Sequence, residues 1–137
     1  MHIAATLVLG RDADDVPGVR ALAATALELC GAPPEVCSDL CVALSEALTN
    51  AVEHAGGNQI VVELDITPHR CELTVRDTGL GFQPPSAPEM PDPHATEGRG
   101  LALMKLLAED VQVRSSPGRG TVVRIRQSLR ERVPSGR

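Results

Sequence analysis

The chain has 137 residues, a net charge of −5 and a single aromatic residue, Phe82. That length suits one domain, which at this size buries roughly 68% of its unfolded surface, enough for a core without disulfide or metal staples. Acidic charge excludes a general nucleic-acid binder, whose affinity needs many Lys and Arg contacts to phosphate, and one ring excludes a base-stacking platform.

Ile3–Leu9 is a short apolar run that reads as a first strand; it lacks the basic start and small-residue cleavage site of a signal peptide and runs directly into Arg11 and Asp12. No run reaches the roughly 18 apolar residues of a membrane span, so a cytoplasmic protein is expected. Asp14 and Asp15 are N-cap candidates for a helix near Val16–Leu29, whose apolar face is Val19, Leu22, Ala23, Ala26, Leu27 and Leu29. Gly31, Ala32, Pro33 and Pro34 break the chain, and Pro34 suits the first turn of a central helix running to Ala55.

On that helix Cys37, Leu40, Cys41, Leu44, Ala47, Leu48, Ala51, Val52 and Ala55 fall on one face, a core stripe. Glu46, Asn50 and His54 follow one another at i, i+4 and i+8, each about 6 Å further along the axis. They make a polar seam beside the stripe, which reads either as a solvated edge or as a row of reactive groups. Gly56 and Gly57 end the helix.

Ile60–Thr67 and Cys71–Arg76 alternate apolar and polar residues around a turn at Pro68–Arg70, the pattern of an antiparallel hairpin. Gln83–Glu97 holds five prolines, which excludes helix and central strand and makes 83–97 a candidate lid. A helix from about Arg99 to Glu109 points Leu101, Met104, Leu107 and Ala108 inward, and a second hairpin joins Val111–Arg114 to Gly120–Gln127 through a turn at Ser115–Arg119. Residues 1–129 form the domain, and Arg130–Arg137 reads as a frayed tail. The order strand, helix, helix, two strands, loop, helix, two strands predicts a two-layer α/β sandwich, with helices covering one face of a mixed, mostly antiparallel sheet.

Cys30, Cys37, Cys41 and Cys71 show no C-x-x-C pairing and read as reduced thiols; the i, i+4 pair Cys37 and Cys41 shares a face and with a histidine could hold zinc, against which stands ordinary core packing. Gly98-Arg99-Gly100 at a helix start offers either an anion site, because unpaired N–H groups gather at the positive end of the dipole, or a flexible loop end. Asp77, at a strand end before Gly79 and Gly81, reads either as an acceptor for an exocyclic amine on a flat ligand or as an ordinary Asp-x-Gly turn.

In this order the segments SEALTNAVEHA, DTGLGF, GRGLALM and GRGT resemble the N, G1, G2 and closing boxes of the GHKL ATPase superfamily, the Bergerat-fold group. Within it, the short length and the segments LSEALTNAVEHA and GRGLALMKLLAEDVQVRSSPGRGTVVRI are similar to the bacterial anti-sigma-factor serine/threonine kinases. The resemblance spans essentially the whole chain and implies a histidine-kinase-like ATPase fold that binds ATP and Mg²⁺. It implies Glu46 as general base, Asn50 as the Mg²⁺ ligand, Asp77 as reader of the adenine amine with Gly79 and Gly81 beside it, and Thr121 as a further hydrogen bond to the base. Gly98 and Gly100 would give amides to the phosphates, with Arg99 and Leu101 in the same box, and His54 would pack at the pocket edge.

The resemblance further implies a sigma factor and a serine-bearing anti-sigma-factor antagonist as partners, no direct contact with nucleic acid or membrane, and, since relatives commonly dimerise, a homodimer among the assemblies it allows. The expected function is an anti-sigma factor that phosphorylates its antagonist in a partner-switching system regulating transcription. A non-catalytic ATP-binding module that sequesters its partner is the alternative. No helical hairpin with a phosphoacceptor histidine is visible, because His2, His54, His69 and His94 all lie outside any spare helix.

Overall fold

A computed structural model describes residues 1–54, 59–77, 94–116 and 120–129. Its elements are β1 (Ile3–Leu9), α1 (Val16–Leu29), α2 (Pro34–His54), β2 (Ile60–Ile66), β3 (Arg70–Asp77), α3 (His94–Leu107), β4 (Asp110–Ser116) and β5 (Gly120–Ser128). The five strands form one sheet in the order β1-β2-β3-β5-β4, and every pairing is antiparallel. The expected two-layer sandwich is present, with the sheet antiparallel throughout.

Alternation along the strands decides which face the helices cover. Ile60, Val62, Leu64 and Ile66 of β2 are buried, as are Cys71, Leu73 and Val75 of β3 and Val123 and Ile125 of β5. Register lines them up across the sheet: Leu64 pairs with Leu73, Leu73 with Ile125, and Ile125 with Val111. Against this apolar floor α2 lays Leu40, Ala43, Leu44, Ala47 and Leu48, all essentially inaccessible, while Ala51 and Val52 are only partly buried. At about 1.5–3 kcal/mol for each fully buried large aliphatic side chain, this layer is the main favourable term of the fold. The other face of the sheet carries cross-strand ion pairs, Arg76 with Glu63 at 3.3 Å and Arg126 with Glu72 at 3.2 Å.

Helix α1 packs beside α2 but buries a narrower stripe than its sequence suggests. Val19, Ala23, Ala26 and Leu27 are buried, whereas Leu22 is 44% and Leu29 60% exposed, because at about 100° per residue both turn away from Val19 on the side opposite Leu27. Its start differs too. Neither Asp14 nor Asp15 caps α1 through its side chain; a one-turn 3-10 helix, Ala13–Asp15, precedes it, and Asp12 caps that turn by accepting the Asp14 N–H at 2.9 Å. The end is a Schellman motif, with Ala32 N–H bonded to Leu27 O at 2.9 Å and Gly31 N–H to Glu28 O at 3.0 Å. Gly31 supplies the required left-handed conformation at φ 86°.

The largest departure is at α3, which begins at His94 and not near Arg99. The last proline of the Pro-rich run is Pro93, and nothing in His94-Ala95-Thr96-Glu97 forbids a helix. The expected lid, 83–97, therefore ends in helix, and its first eleven positions lie outside the described residues, as does the tail 130–137. Likewise β4 continues through Ser116, where a turn was expected from Ser115. Among the described residues no helix is long and apolar enough to cross a membrane.

Candidate functional site

Glu46 and Asn50 lie one helical turn apart on the half-buried edge of α2, beside its core stripe. Their side chains reach toward α3. A β-carbon built on Gly100 would stand 3.1 Å from Glu46 Oε2 and 3.3 Å from Asn50 Nδ2, so the carboxylate and the amide both rest against a backbone position of α3 that has no side chain. A larger residue there would push both away. The seam on α2 is therefore covered by a neighbouring helix, and the reading of a merely solvated edge does not hold at these two positions.

The second group of residues sits where β3 ends. Asp77 is 3% exposed and pairs with Ile60, which in turn pairs with Leu9, so all three occupy one row on the helix-covered face. The β3–β5 register ends at the Arg76–Val122 pair, and Asp77 and Thr121 are the next residues along their strands. Gly120 passes so close that a β-carbon on it would run into the Asp77 carbonyl, and its φ of 95° is a conformation that favours glycine. Across β4, the Ser115 and Thr121 hydroxyls share a hydrogen bond of 3.1 Å.

What joins the two groups is Arg11. It stands two residues past Leu9, at the same end of the sheet as Asp77, and its Nε and Nη2 donate to the Val52 carbonyl at 3.3 and 2.9 Å. The last turn of α2, two residues beyond Asn50, is thereby held over the sheet end that carries Asp77. A buried carboxylate, a hydroxyl, a half-buried carboxylate and an amide thus gather at one end of the sandwich, on elements that pack directly on one another.

The expectations for the remaining positions divide. Gly79 and Gly81 lie outside the described residues. Gly98 and Gly100 do not open α3. With the helix starting at His94, the four N–H groups without an intrahelical acceptor belong to its first four residues, and Gly98 and Gly100 stand within the helical ladder. Leu101 packs partly buried against the core. His54 closes α2, and neither its side chain nor that of Arg99 is among those described.

Sequence reading did not single out Arg11, Ser115 or Gly120 as site residues. Ser115 could have been found from hairpin symmetry, since it faces Thr121 in the β4–β5 register; Arg11 could not, because its acceptor is a backbone carbonyl 41 positions away. Among the described residues, cavities that touch none of Glu46, Asn50 or Asp77 include one of about 650 Å³ between the start of α2 and the end of α3, and one of about 750 Å³ between α1 and α2.

The cysteines are a structural matter. All four are buried and free. Cys37 Sγ points at Ala24 O and Cys41 Sγ at Arg20 O, 3.7 and 3.9 Å away on α1, and desolvation raises both thiols above their usual range. Cys71 is pushed up to about 12, first by burial and then by the nearby Asp65 charge. Neutral thiols packed as small hydrophobes fit these surroundings.

Comparison with known proteins identifies the fold and the family. Residues 10–127 match the family described as the histidine kinase-like ATPase domain. The anti-sigma F factor of Pasteuria penetrans is 35% identical over 109 residues, covering 69% of this chain and 70% of the relative. That of Bacillus licheniformis is 30% identical over 97 residues, and the chain spans 65% of its length. The crystal structure of the RsbU and RsbW domains of a Mycobacterium tuberculosis protein superposes with a TM-score of 0.71 at 23% identity, over 93% of this chain and 32% of that one. The histidine kinase domain of an Erythrobacter litoralis blue-light activated histidine kinase gives 0.56 at 20%, over 88% of this chain and 62% of that one. At such identities the two structures speak for the fold alone. With the family match over most of its length, the chain belongs to the histidine kinase-like ATPase family, alongside the anti-sigma F factors.

Proposed function

We propose that this protein is an ATP-dependent anti-sigma factor and protein serine kinase, which binds a sigma factor and phosphorylates a small antagonist protein on serine. The observation that carries the reading is the joint approach of Glu46 and Asn50 to Gly100, because a carboxylate and an amide one turn apart beside a bare backbone position can share one reaction centre. The similarity to proteins named anti-sigma F factor supports the regulatory half of the reading.

In the proposed mechanism Asp77 accepts a hydrogen bond from the adenine amine and the Thr121 hydroxyl, steadied by Ser115, adds a second contact to the base. Gly79 and Gly81 let the chain approach the base plane, and Gly98, Arg99, Gly100 and Leu101 form the phosphate side, with Gly100 leaving the space that Glu46 and Asn50 use. Hard oxygen donors suit Mg²⁺, and the Asn50 amide oxygen is such a donor, leaving Glu46 free to act as the base; when bound, the ion would neutralise phosphate charge. Glu46 takes the proton from the incoming serine hydroxyl, the serine oxygen bonds to the γ-phosphorus, and the bond to the β-phosphate bridging oxygen breaks, leaving ADP. A cytoplasmic setting and a homodimer belong to the same proposal.

The experiment is incubation of the purified chain with Mg-ATP and a candidate antagonist, read as phosphoserine by mass spectrometry. Phosphate transfer that disappears in Glu46→Gln with ATP binding retained is expected. ATP bound but held intact with every antagonist tried would replace the kinase reading with the non-catalytic sequestering module.

A further inference from the structure

The contact between Arg11 and α2 goes beyond the box residues. A helix leaves its last four carbonyls without an intrahelical donor and gathers partial negative charge there; with α2 ending at His54, the Val52 carbonyl is one of these four. Two N–H groups of one guanidinium converge on it, at 3.3 and 2.9 Å, from a residue 41 positions earlier in the chain. Arg11 is exposed and, among the described residues, makes no ion pair that would compete for its fork, while Val52 is half-buried. The chain around Arg11 is anchored on both sides, by the Leu9–Ile60 pair before it and by the Asp12-capped turn after it. The guanidinium therefore ties a fixed point on the sheet to the terminal turn of α2.

That turn begins directly after Asn50, whose amide lies 3.3 Å from the β-carbon position of Gly100. Fraying of that turn would loosen Asn50 next to it, because the Asn50 carbonyl is the helical acceptor for the final residue of α2, and among the described residues the amide rests against α3 at Gly100. We infer that Arg11 is a positioning residue for the nucleotide site: by capping the Val52 carbonyl it holds the last turn of α2, and with it Asn50, over the sheet end that carries Asp77. This rests on the nucleotide-site reading given above, and it adds a determinant outside every motif box. Arg11 touches no substrate in this role. A single carbonyl acceptor needs one well-placed cationic donor and not a planar fork, so lysine should substitute in large part.

The test uses the full chain with Arg11→Ala and Arg11→Lys. Amide hydrogen exchange is followed on peptides covering 48–54, alongside affinity for a fluorescent ATP analogue in Mg²⁺ and the unfolding temperature. Expected for Arg11→Ala are exchange at least fivefold faster confined to the end of α2, and about five- to twentyfold weaker nucleotide binding, with the unfolding temperature moved by no more than a few degrees. Arg11→Lys should recover most of both. Unchanged exchange at 48–54 in Arg11→Ala overturns the inference while leaving the nucleotide site standing, as does faster exchange with undiminished affinity. Exchange raised equally across β1 and α1 also overturns it, because that marks a general structural role. Failure of the unaltered protein to bind the analogue would instead remove the nucleotide reading itself, a result visible before any variant is made.

Discussion

Gly120 and Asp77 stand so close that the α-carbon of one leaves no room for a methyl group beside the carbonyl of the other. The contact fixes how the first residue of β5 passes the last residue of β3, and Thr121 is the next residue along β5. Two devices meet there, a φ of 95° that L side chains rarely adopt and a backbone carbonyl that cannot move without breaking the β2–β3 ladder.

Replacing Gly120 by Ala should therefore cost about 1–3 kcal/mol in backbone strain alone, with a further loss from the displaced carbonyl. Denaturant unfolding should show a midpoint clearly below that of the unaltered protein, and ATP affinity should fall with it. An unshifted midpoint would mean that the close approach is not present in solution.

Gly100→Ala should separate stability from function. Gly100 lies within α3, where alanine is favoured over glycine by roughly 0.5–1 kcal/mol, yet the added carbon would meet Glu46 Oε2 at 3.1 Å and Asn50 Nδ2 at 3.3 Å. The expected outcome is an unfolding temperature equal to or slightly above that of the unaltered chain, with phosphate transfer reduced about tenfold or more. A variant that is both stable and fully active would show that the space in front of Glu46 and Asn50 is not used.

For Glu46→Gln the shape is kept and the base is lost. Single-turnover transfer to an antagonist should drop by about 10²–10⁴, the usual contribution of a positioned general base, with nucleotide affinity within a factor of about three. Loss of affinity on the same scale as the loss of rate would place Glu46 among the binding groups.

Asp77→Asn keeps an acceptor oxygen but adds a donor where the adenine amine would approach, and the residue is 3% exposed, so water cannot compensate. ATP affinity should weaken at least about tenfold, and the preference for ATP over GTP should shrink; calorimetric titration with both nucleotides reads this directly.

A pH dependence follows from Cys71. Burial and the Asp65 charge raise its thiol from the ordinary 9.0 to about 12. In the unfolded chain the thiol ionises first, so the folded state holds the extra proton, and stability present below about pH 9 is lost progressively as pH rises toward about 12. Urea midpoints at pH 8 and pH 10.5 should differ in that direction, and Cys71→Ser should not be a neutral control, since a buried hydroxyl needs a stronger partner than a thiol.

Much of this molecule was legible in one dimension. Period 2 in Ile60–Ile66 and period 3.6 along α2 each name a buried face, because side-chain direction follows from backbone geometry alone, and Glu46 and Asn50 share an edge for the same reason. The motif boxes, read together, pointed to the family that comparison then showed. Local composition misled at α3, where a proline-rich run was extended four residues too far into His94–Glu97, and at Leu22 and Leu29, which are apolar but turned outward. Only the tertiary structure could decide that Gly100 is the residue against which Glu46 and Asn50 rest, that Gly120 abuts Asp77, and that Arg11 grips the end of α2. Those are contacts between elements far apart in sequence, made by bare backbone or to a carbonyl that every residue possesses, and no pattern of side chains along the chain encodes which carbonyl or which glycine will be met.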